Sequence, residues 1–158
     1  MNHIKINIKS SEEMIELGRT IVECATPNLV IALVGDLGAG KTTLTKGIGE
    51  ALGIKRVINS PTFTIMKIYD TTHKSIKRLY HLDVYRLSNS ESDFDLEEYF
   101  YMDGLTVIEW AHIIDDIIPS NRWEIDIKDL GNNNRLVTLH VDENLVKRLG
   151  EKGYEVIY

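Results

Sequence analysis

The spacing of the hydrophobic residues predicts the first elements of the chain. Ile4, Ile6 and Ile8 alternate with polar residues, which is typical of a β-strand with one buried face. Ser10 and Glu13 have the spacing of a capping box, and apolar residues then recur at helical intervals. We therefore expect a strand that leads directly into an amphipathic helix.

Two short segments, one of them continuously apolar, each predict a buried strand in the centre of a sheet. They are residues 29–34 and 105–108, and a strand of this kind is usually covered on both faces. Residues 42–52 carry their apolar side chains on one helical face, which predicts a helix after the first of these strands. Residues 63–69 and 76–83 resemble two strands around a polar turn.

The later part of the chain predicts further short elements. Residues 123–130 and 135–141 alternate around a Gly-Asn-Asn-Asn sequence, which indicates a β-hairpin. Helices are expected at 93–102 and 111–118, and a last strand at 154–158. Strands and helices that follow one another in this order predict an α/β fold.

Composition limits the class of protein. The chain has 158 residues, of which 43% are hydrophobic and 27% charged, so we expect one globular domain spanning residues 1–158. The single cysteine excludes an internal disulfide framework and a cysteine-based zinc cluster, and it favours a reducing, cytoplasmic location. The first residues lack the apolar stretch of a secretion signal, and residues 29–34 are too few to cross a membrane.

The charge of the chain argues against tight binding of nucleic acid by this protein alone. Its formal net charge is −6, whereas affinity for nucleic acid comes largely from basic side chains. Contact with nucleic acid would have to be local or shared with a partner. Residues 88–103 contain acidic but no basic side chains, and this stretch is either a solvated face or a docking surface.

A phosphate-binding motif lies between the first apolar strand and the following helix. Residues 35–42 match G-x-x-x-x-G-K-[ST] at every fixed position. Lys41 should contact the β- and γ-phosphates, and the Thr42 hydroxyl should bind a magnesium ion. The backbone N–H groups of the loop should surround phosphate oxygens, at Gly38, Ala39 and Gly40. The motif makes the fold class specific: a P-loop NTPase-like three-layer sandwich, with a mostly parallel central sheet and an antiparallel hairpin.

Two acidic residues and one threonine are candidates for the rest of the site. Asp83 ends an apolar strand, as in a Walker B motif, and Glu109 ends a second one. Since ligands bind at the carboxyl ends of parallel strands, both acids should face the phosphate loop and hold or support magnesium. Thr62 lies where a switch threonine could sense the γ-phosphate. No Asn-Lys-x-Asp sequence is present, which favours ATP over GTP.

Four other residues near these motifs have open roles. Trp110 follows Glu109 and could be a core residue, a partner contact or a lid over the nucleotide. His81 is expected to be structural and to point to the strand face opposite Asp83. Arg86 and Arg135 are the arginines that could act as an internal cation on the transferred phosphate.

Four motifs together resemble the TsaE family, also called YjeE. They are Gly-Asp-Leu-Gly-Ala-Gly-Lys-Thr-Thr at 35–43, Ser-Pro-Thr-Phe-Thr at 60–64, His-Leu-Asp-Val-Tyr-Arg-Leu at 81–87 and Ile-Glu-Trp-Ala at 108–111. The resemblance extends over nearly the whole chain. It implies a P-loop ATPase required for threonylcarbamoyladenosine formation beside the anticodon of tRNA.

The resemblance also assigns residues. It implies that Lys41, Thr42 and Thr43 contact nucleotide, and that Ser11 and Arg135 lie near its base or phosphates. It further implies that Thr42 and Glu109 bind magnesium. Asp83 would support the metal or the attacking water, and Thr62 would belong to the switch.

The implied role is to assist the chemistry of a partner complex. In this family TsaD works with TsaB to transfer the threonylcarbamoyl group, and TsaE binds that pair and hydrolyses ATP so that the complex turns over. The tRNA would be met only through the complex. Two other functions fit a phosphate loop: a small-molecule kinase, and a nucleotide-gated binding module without turnover.

Overall fold

The structure, a computed structural model, describes residues 1–36, 38–59, 65–85 and 96–158. The strands within these ranges are β1 (Asn2–Ile8), β2 (Val30–Gly35), β3 (Met66–Asp70), β4 (Arg78–Asp83), β5 (Gly104–Glu109), β6 (Trp123–Gly131), β7 (Asn134–Val141) and β8 (Val156–Ile157). The α-helices are α1 (Ser11–Cys24), α2 (Lys41–Ala51) and α3 (Glu143–Glu151).

The strands that the structure describes form one eight-stranded sheet in the order β3-β4-β5-β2-β6-β7-β1-β8. The four central strands, β4, β5, β2 and β6, are parallel, and antiparallel strands extend the sheet on both sides. The α/β fold with a parallel centre and an antiparallel hairpin is therefore confirmed. Within the described ranges, none of the helices has the length and apolar content needed to span a membrane.

Helices cover the two faces of the sheet unequally. On one face, buried residues of α1, α2 and α3 pack against alternate residues of the strands, such as Leu33 of β2 and Val107 of β5. On the other face, Ala32 and Ile108 pack against two short 3₁₀ helices, Leu96–Tyr101 and Ala111–Ile114. The phosphate loop leads into α2, so the candidate site belongs to the first face.

Local capping and turn signals act as the sequence predicts. Ser10 is the N-cap of α1, and its hydroxyl accepts a hydrogen bond from the Glu13 N–H at 3.1 Å. The carboxylate of Glu13 accepts in return from the N–H of Lys9, at 2.8 Å. Between β6 and β7, Asn132 and Asn133 both have positive φ angles of 53° and 64°, which is the backbone of a type I′ hairpin turn.

Two predicted helices differ from the structure, and one observed helix was not predicted. Of the helix expected at 93–102, residues 93–95 lie outside the described residues, and the rest is a 3₁₀ helix that ends at Tyr101. The helix expected at 111–118 is a 3₁₀ helix that ends at Ile114. Helix α3 was not predicted at all, although Asp142 caps it and Leu145, Val146 and Leu149 form a buried stripe. Hydrophobic spacing alone does not separate a short 3₁₀ helix from an α-helix.

Helices α1 and α2 approach each other closely because glycines face across their contact. A Cβ atom added at Gly47 would lie 2.3 Å from the carbonyl oxygen of Ile15. One added at Gly18 would lie 2.7 Å from the backbone nitrogen of Ile48. Both obstacles are backbone atoms, so a larger residue at either position forces the helices apart. The contact fixes the start of α1 relative to the start of α2.

Replacement of Gly47 by alanine should therefore destabilise the protein. We expect the free energy of unfolding to fall by about 1–3 kcal/mol, the usual cost of overpacking. Urea denaturation followed by circular dichroism measures this quantity.

Gly150→Ala is the matched control, because Gly150 lies in α3 and a Cβ atom there would meet no atom within 4 Å. Alanine should raise stability at this position by about 0.5–1 kcal/mol, through its higher helix propensity. Equal effects of the two substitutions would contradict the close helix contact.

Candidate functional site

The candidate site lies where strands β2, β4 and β5 end at the same edge of the sheet. These strands are parallel, so their carboxyl ends meet there. Strand β2 ends at Gly35 and leads into the phosphate loop, and α2 begins at Lys41. Strands β4 and β5 end at Asp83 and Glu109. The topology thus brings the three sequence motifs to one place.

The described part of the phosphate loop has the backbone that its glycines permit. Gly38 and Gly40 have φ angles of 81° and 118°, which residues with a side chain rarely adopt. Gly40 is the N-cap of α2, so the first N–H groups of the helix have no capping side chain from that residue. Unsatisfied N–H groups and the positive end of the helix dipole favour an anion at this point.

Lys41 and Glu109 form an ion pair in the free protein. Lys41 Nζ lies 3.3 Å from Glu109 Oε1, and the two side chains are 12% and 6% exposed. Burial raises the pKa of Glu109, but the hydrogen bond with His81 and the Lys41 ammonium lower it by more, so the pKa lies below its ordinary value. Glu109 is therefore an ionised carboxylate beside the phosphate loop.

Asp83 lies directly beside Glu109 across the sheet. The two residues are register partners on the parallel strands β4 and β5, so their side chains leave the same face. Asp83 is half-buried, and its Oδ1 accepts a hydrogen bond from the N–H of Tyr85 at 3.1 Å. Two acids at the end of the sheet therefore face the same side as Lys41.

The expectation that His81 points away from Asp83 is wrong. Side chains alternate along a strand, so residues two apart share a face. His81 is fully buried, and its Nε2 lies 2.9 Å from Glu109 Oε2. Its other ring nitrogen, Nδ1, is buried and has no hydrogen-bond partner within the described part of the chain. His81 thus belongs to the site through its contact with Glu109, which sequence reasoning missed.

The residues fit a magnesium ion only together with a nucleotide. The candidate ligands are the Thr42 hydroxyl and the carboxylates of Asp83 and Glu109, all of which are hard oxygen donors of the kind that Mg²⁺ binds. Within the described ranges, no group of three or more histidine, cysteine or acidic residues could hold a metal by itself. Mg²⁺ commonly binds through one or two carboxylates plus substrate phosphates, so this donor set suits it.

Ser11 and Thr43 line one small cleft beside the phosphate loop, together with Gly40 and Arg135. Ser11 is the first residue of α1, and Thr43 lies in the first turn of α2. The structure therefore brings together the residues that the family resemblance places near the nucleotide base or phosphates.

Arg135 is already engaged in the free protein. Its Nε donates to the carbonyl oxygen of Ala39 at 2.8 Å, and its Nη1 lies 2.9 Å from Asp129 Oδ1. The first of these bonds connects strand β7 to the phosphate loop. This contact could not be predicted from sequence, because it joins residues far apart in the chain.

Trp110 lies at the rim of the site, so a position in the core is excluded. It is 42% exposed, and its backbone is left-handed, with a φ angle of 63°. Its ring packs against Tyr85, with 4.9 Å between centroids, and Lys41 Nζ lies 5.9 Å from the ring centre. Trp110, Lys41 and His112 also line a cavity of about 400 Å³. Roles as a partner contact or as a lid both stay open.

Two predicted residues lie outside the described residues. They are Thr62, the candidate switch threonine, and Arg86, one of the two candidate cations. Their roles stay predictions.

Comparisons with known proteins agree with the resemblance. The model of one family, described as threonylcarbamoyl adenosine biosynthesis protein TsaE, matches residues 8–137. A tRNA threonylcarbamoyladenosine biosynthesis protein TsaE from Bacillus subtilis is 41% identical over 152 residues, which is 96% of this chain and 94% of that protein. A protein of the same description from Treponema pallidum is 35% identical over 133 residues, 83% of this chain and 96% of the relative.

The fold is also shared with a solved structure. The crystal structure of Bacillus subtilis YdiB is similar with a TM-score of 0.75 and 36% sequence identity, over 95% of this chain and 93% of that one. The family model covers most of the chain, and the phosphate loop and both acids lie within the matched region. The chain therefore belongs to the TsaE family.

Proposed function

We propose that this protein is a magnesium-dependent ATPase that serves the formation of threonylcarbamoyladenosine on tRNA. The observation that carries the ATPase proposal is the convergence of Lys41 and Glu109 at the phosphate loop, 3.3 Å apart, with Asp83 in register beside them. The role in tRNA modification rests on family membership and on the names of its relatives.

The residues of the loop bind and neutralise the triphosphate. Backbone N–H groups from Gly38 to the first turn of α2 surround the phosphate oxygens, and the dipole of α2 favours their charge. Lys41 exchanges its contact with Glu109 for the β- and γ-phosphates. Phosphoryl transfer depends mainly on such positioning and neutralisation, since it needs little covalent chemistry from the protein.

The carboxylates complete the site on the other side of the phosphates. Thr42 and Glu109 would hold the magnesium ion, and Asp83 would support the ion or the attacking water. A bound magnesium ion neutralises charge that develops on the phosphate oxygens. Glu109 suits this role because it is ionised and lies beside the lysine of the loop.

A partner supplies a further cation for the transferred phosphate. Arg135 contacts the loop, but its guanidinium is already bonded to Ala39 and Asp129. In related P-loop enzymes a partner commonly provides the missing cation. We propose that the partner is the TsaD–TsaB pair, with tRNA contacted only through it, and that hydrolysis in the cytoplasm lets this complex turn over.

Loss of the loop lysine should abolish tight nucleotide binding. Lys41→Ala removes a charged hydrogen-bond donor, and such bonds contribute about 1.5–3 kcal/mol, so affinity for ATP should fall about 10- to 100-fold. Isothermal titration calorimetry with ATP and magnesium measures the change. Lys46→Ala removes an exposed lysine of the same helix and should bind normally. Normal binding by Lys41→Ala would refute its role.

Loss of the Glu109 charge should separate binding from turnover. Glu109→Gln keeps the shape of the side chain, so ATP should still bind, while hydrolysis should fall about 100-fold or more because a positioned charge is lost. Phosphate release and nucleotide titration measure the two effects. Glu97→Gln, an exposed position in the 3₁₀ helix, is the control. If Glu109→Gln hydrolyses ATP at the normal rate, the role of Glu109 in hydrolysis is wrong.

Hydrolysis should be slow in isolation and should rise at least about tenfold when purified TsaD–TsaB is added, because a partner cation can accelerate phosphoryl transfer by larger factors still. Phosphate release is followed with and without the pair, and again with a set of small acceptor molecules. Equal rates with and without the pair contradict the proposal. Phosphorylation of an acceptor would identify a kinase, and binding without release a nucleotide-gated module.

A further inference from the structure

The two oxygens of the Glu109 carboxylate are held by different residues. Oε1 lies 3.3 Å from Lys41 Nζ, and Oε2 lies 2.9 Å from His81 Nε2. His81 reaches Glu109 from the neighbouring strand β4, while Lys41 reaches it from the start of α2. The carboxylate is therefore fixed by one contact within the sheet and one contact to the phosphate loop.

Nucleotide binding should change the contact of Glu109 with Lys41 but not its contact with His81. Under the proposed function, on which this inference rests, Lys41 turns to the phosphates when ATP binds. The carboxylate oxygen Oε1 then loses its contact with Lys41 and can bind another group. The contact between Oε2 and His81 does not involve Lys41 and needs no change. His81 is then the residue that keeps a buried carboxylate in place.

We propose that His81 is a positioning residue for Glu109, holding Oε2 so that Oε1 faces the phosphate loop. His81 does not contact the phosphates itself, and it acts through the carboxylate. Residues that hydrogen-bond to a metal-binding group orient it, and their loss typically lowers metal affinity or activity about 10- to 100-fold.

The surroundings of His81 determine which ring nitrogen carries the proton. The side chain is 0% exposed, and Leu79 and Val107 of the same sheet face are equally buried. If Nδ1 carried the proton instead of Nε2, that proton would be a buried donor without an acceptor among the described residues, and Glu109 Oε2 would lose the donor that faces it. Nε2 therefore carries a proton and donates a hydrogen bond to Oε2 of Glu109.

Replacing His81 by glutamine or by asparagine tests its contact with Glu109, because the two variants carry the same amide group and differ in length. In His81→Gln the amide nitrogen can reach the position of Nε2, whereas in His81→Asn the side chain is too short to reach Glu109. We expect kcat for ATP hydrolysis to fall about 10- to 100-fold in His81→Asn, with ATP affinity in the absence of magnesium unchanged. His81→Gln should recover most of the rate. A normal kcat in His81→Asn, or equal losses in both variants, overturns the proposal.

A double-variant cycle shows whether His81 acts through Glu109. If it does, adding His81→Asn to Glu109→Gln should cause little further loss of kcat, because the group that His81 positions has already lost its charge. Independent, additive losses would assign His81 a separate role and overturn the proposal. Thermal unfolding of each variant identifies any loss that comes from unfolding.

Two measurements do not depend on turnover. Nitrogen-15 NMR of the free protein should show His81 protonated on Nε2, and an Nε2 without a proton overturns the proposal. The affinity of the nucleotide complex for Mn²⁺, followed by electron paramagnetic resonance, should fall about 10- to 100-fold in His81→Asn and recover in His81→Gln. An unchanged affinity also overturns it. If the unmodified protein hydrolyses no ATP, the ATPase proposal fails, and these measurements still decide the role of His81.

Discussion

The arrangement of the site depends on a carboxylate buried at the end of a central strand. Glu109 is only 5% exposed, and an ion in such a position costs on the order of several kcal/mol unless other groups compensate for its lost hydration. Here a neighbouring strand supplies His81, and the first helical residue after the phosphate loop supplies Lys41. The charge of Glu109 therefore ties strand β5, strand β4 and helix α2 together at one edge of the sheet.

The ion pair with Glu109 is also the state of Lys41 in the protein without a ligand. Without a ligand, an isolated buried ammonium would carry the same desolvation cost as the carboxylate. Pairing with Glu109 offsets that cost and holds Lys41 close to where phosphate oxygens are expected. In the proposed function, binding of ATP is an exchange of one anion for another at Lys41, and the freed carboxylate oxygen lies beside the new ligand.

The features predicted correctly from sequence are those that depend on neighbours in the chain. Alternation identified β1 and the hairpin, and apolar runs identified β2 and β5, because burial on one or two faces leaves a local pattern. The passage from β2 through the glycine-containing turn into α2 was found for the same reason, since these residues lie close together in the chain. Helix α3 was missed, although its cap Asp142 and its buried stripe were present in the sequence.

The features that were missed depend on which strands become neighbours. His81 and Glu109 are separated by 28 positions, and their contact exists only because β4 and β5 pair in one register. The face of His81 relative to Asp83 could have been predicted from strand alternation, whereas its bond to Glu109 could not. Likewise, the proximity of Ser11 to Thr43 follows from the close contact of α1 with α2, and no local pattern encodes it.

Under the proposed function, the bond from Arg135 to Ala39 gives the antiparallel side of the sheet a part in nucleotide binding. Strand β7 belongs to the hairpin rather than to the parallel core, yet its Arg135 donates a hydrogen bond to the backbone of the phosphate loop. The hairpin turn, with its left-handed Asn132 and Asn133, directly precedes Asn134 and Arg135 at the start of that strand. Under the proposed function, shortening the hairpin would weaken the phosphate loop without changing any residue of the motif at 35–42, so nucleotide binding as well as folding would constrain the outer strands.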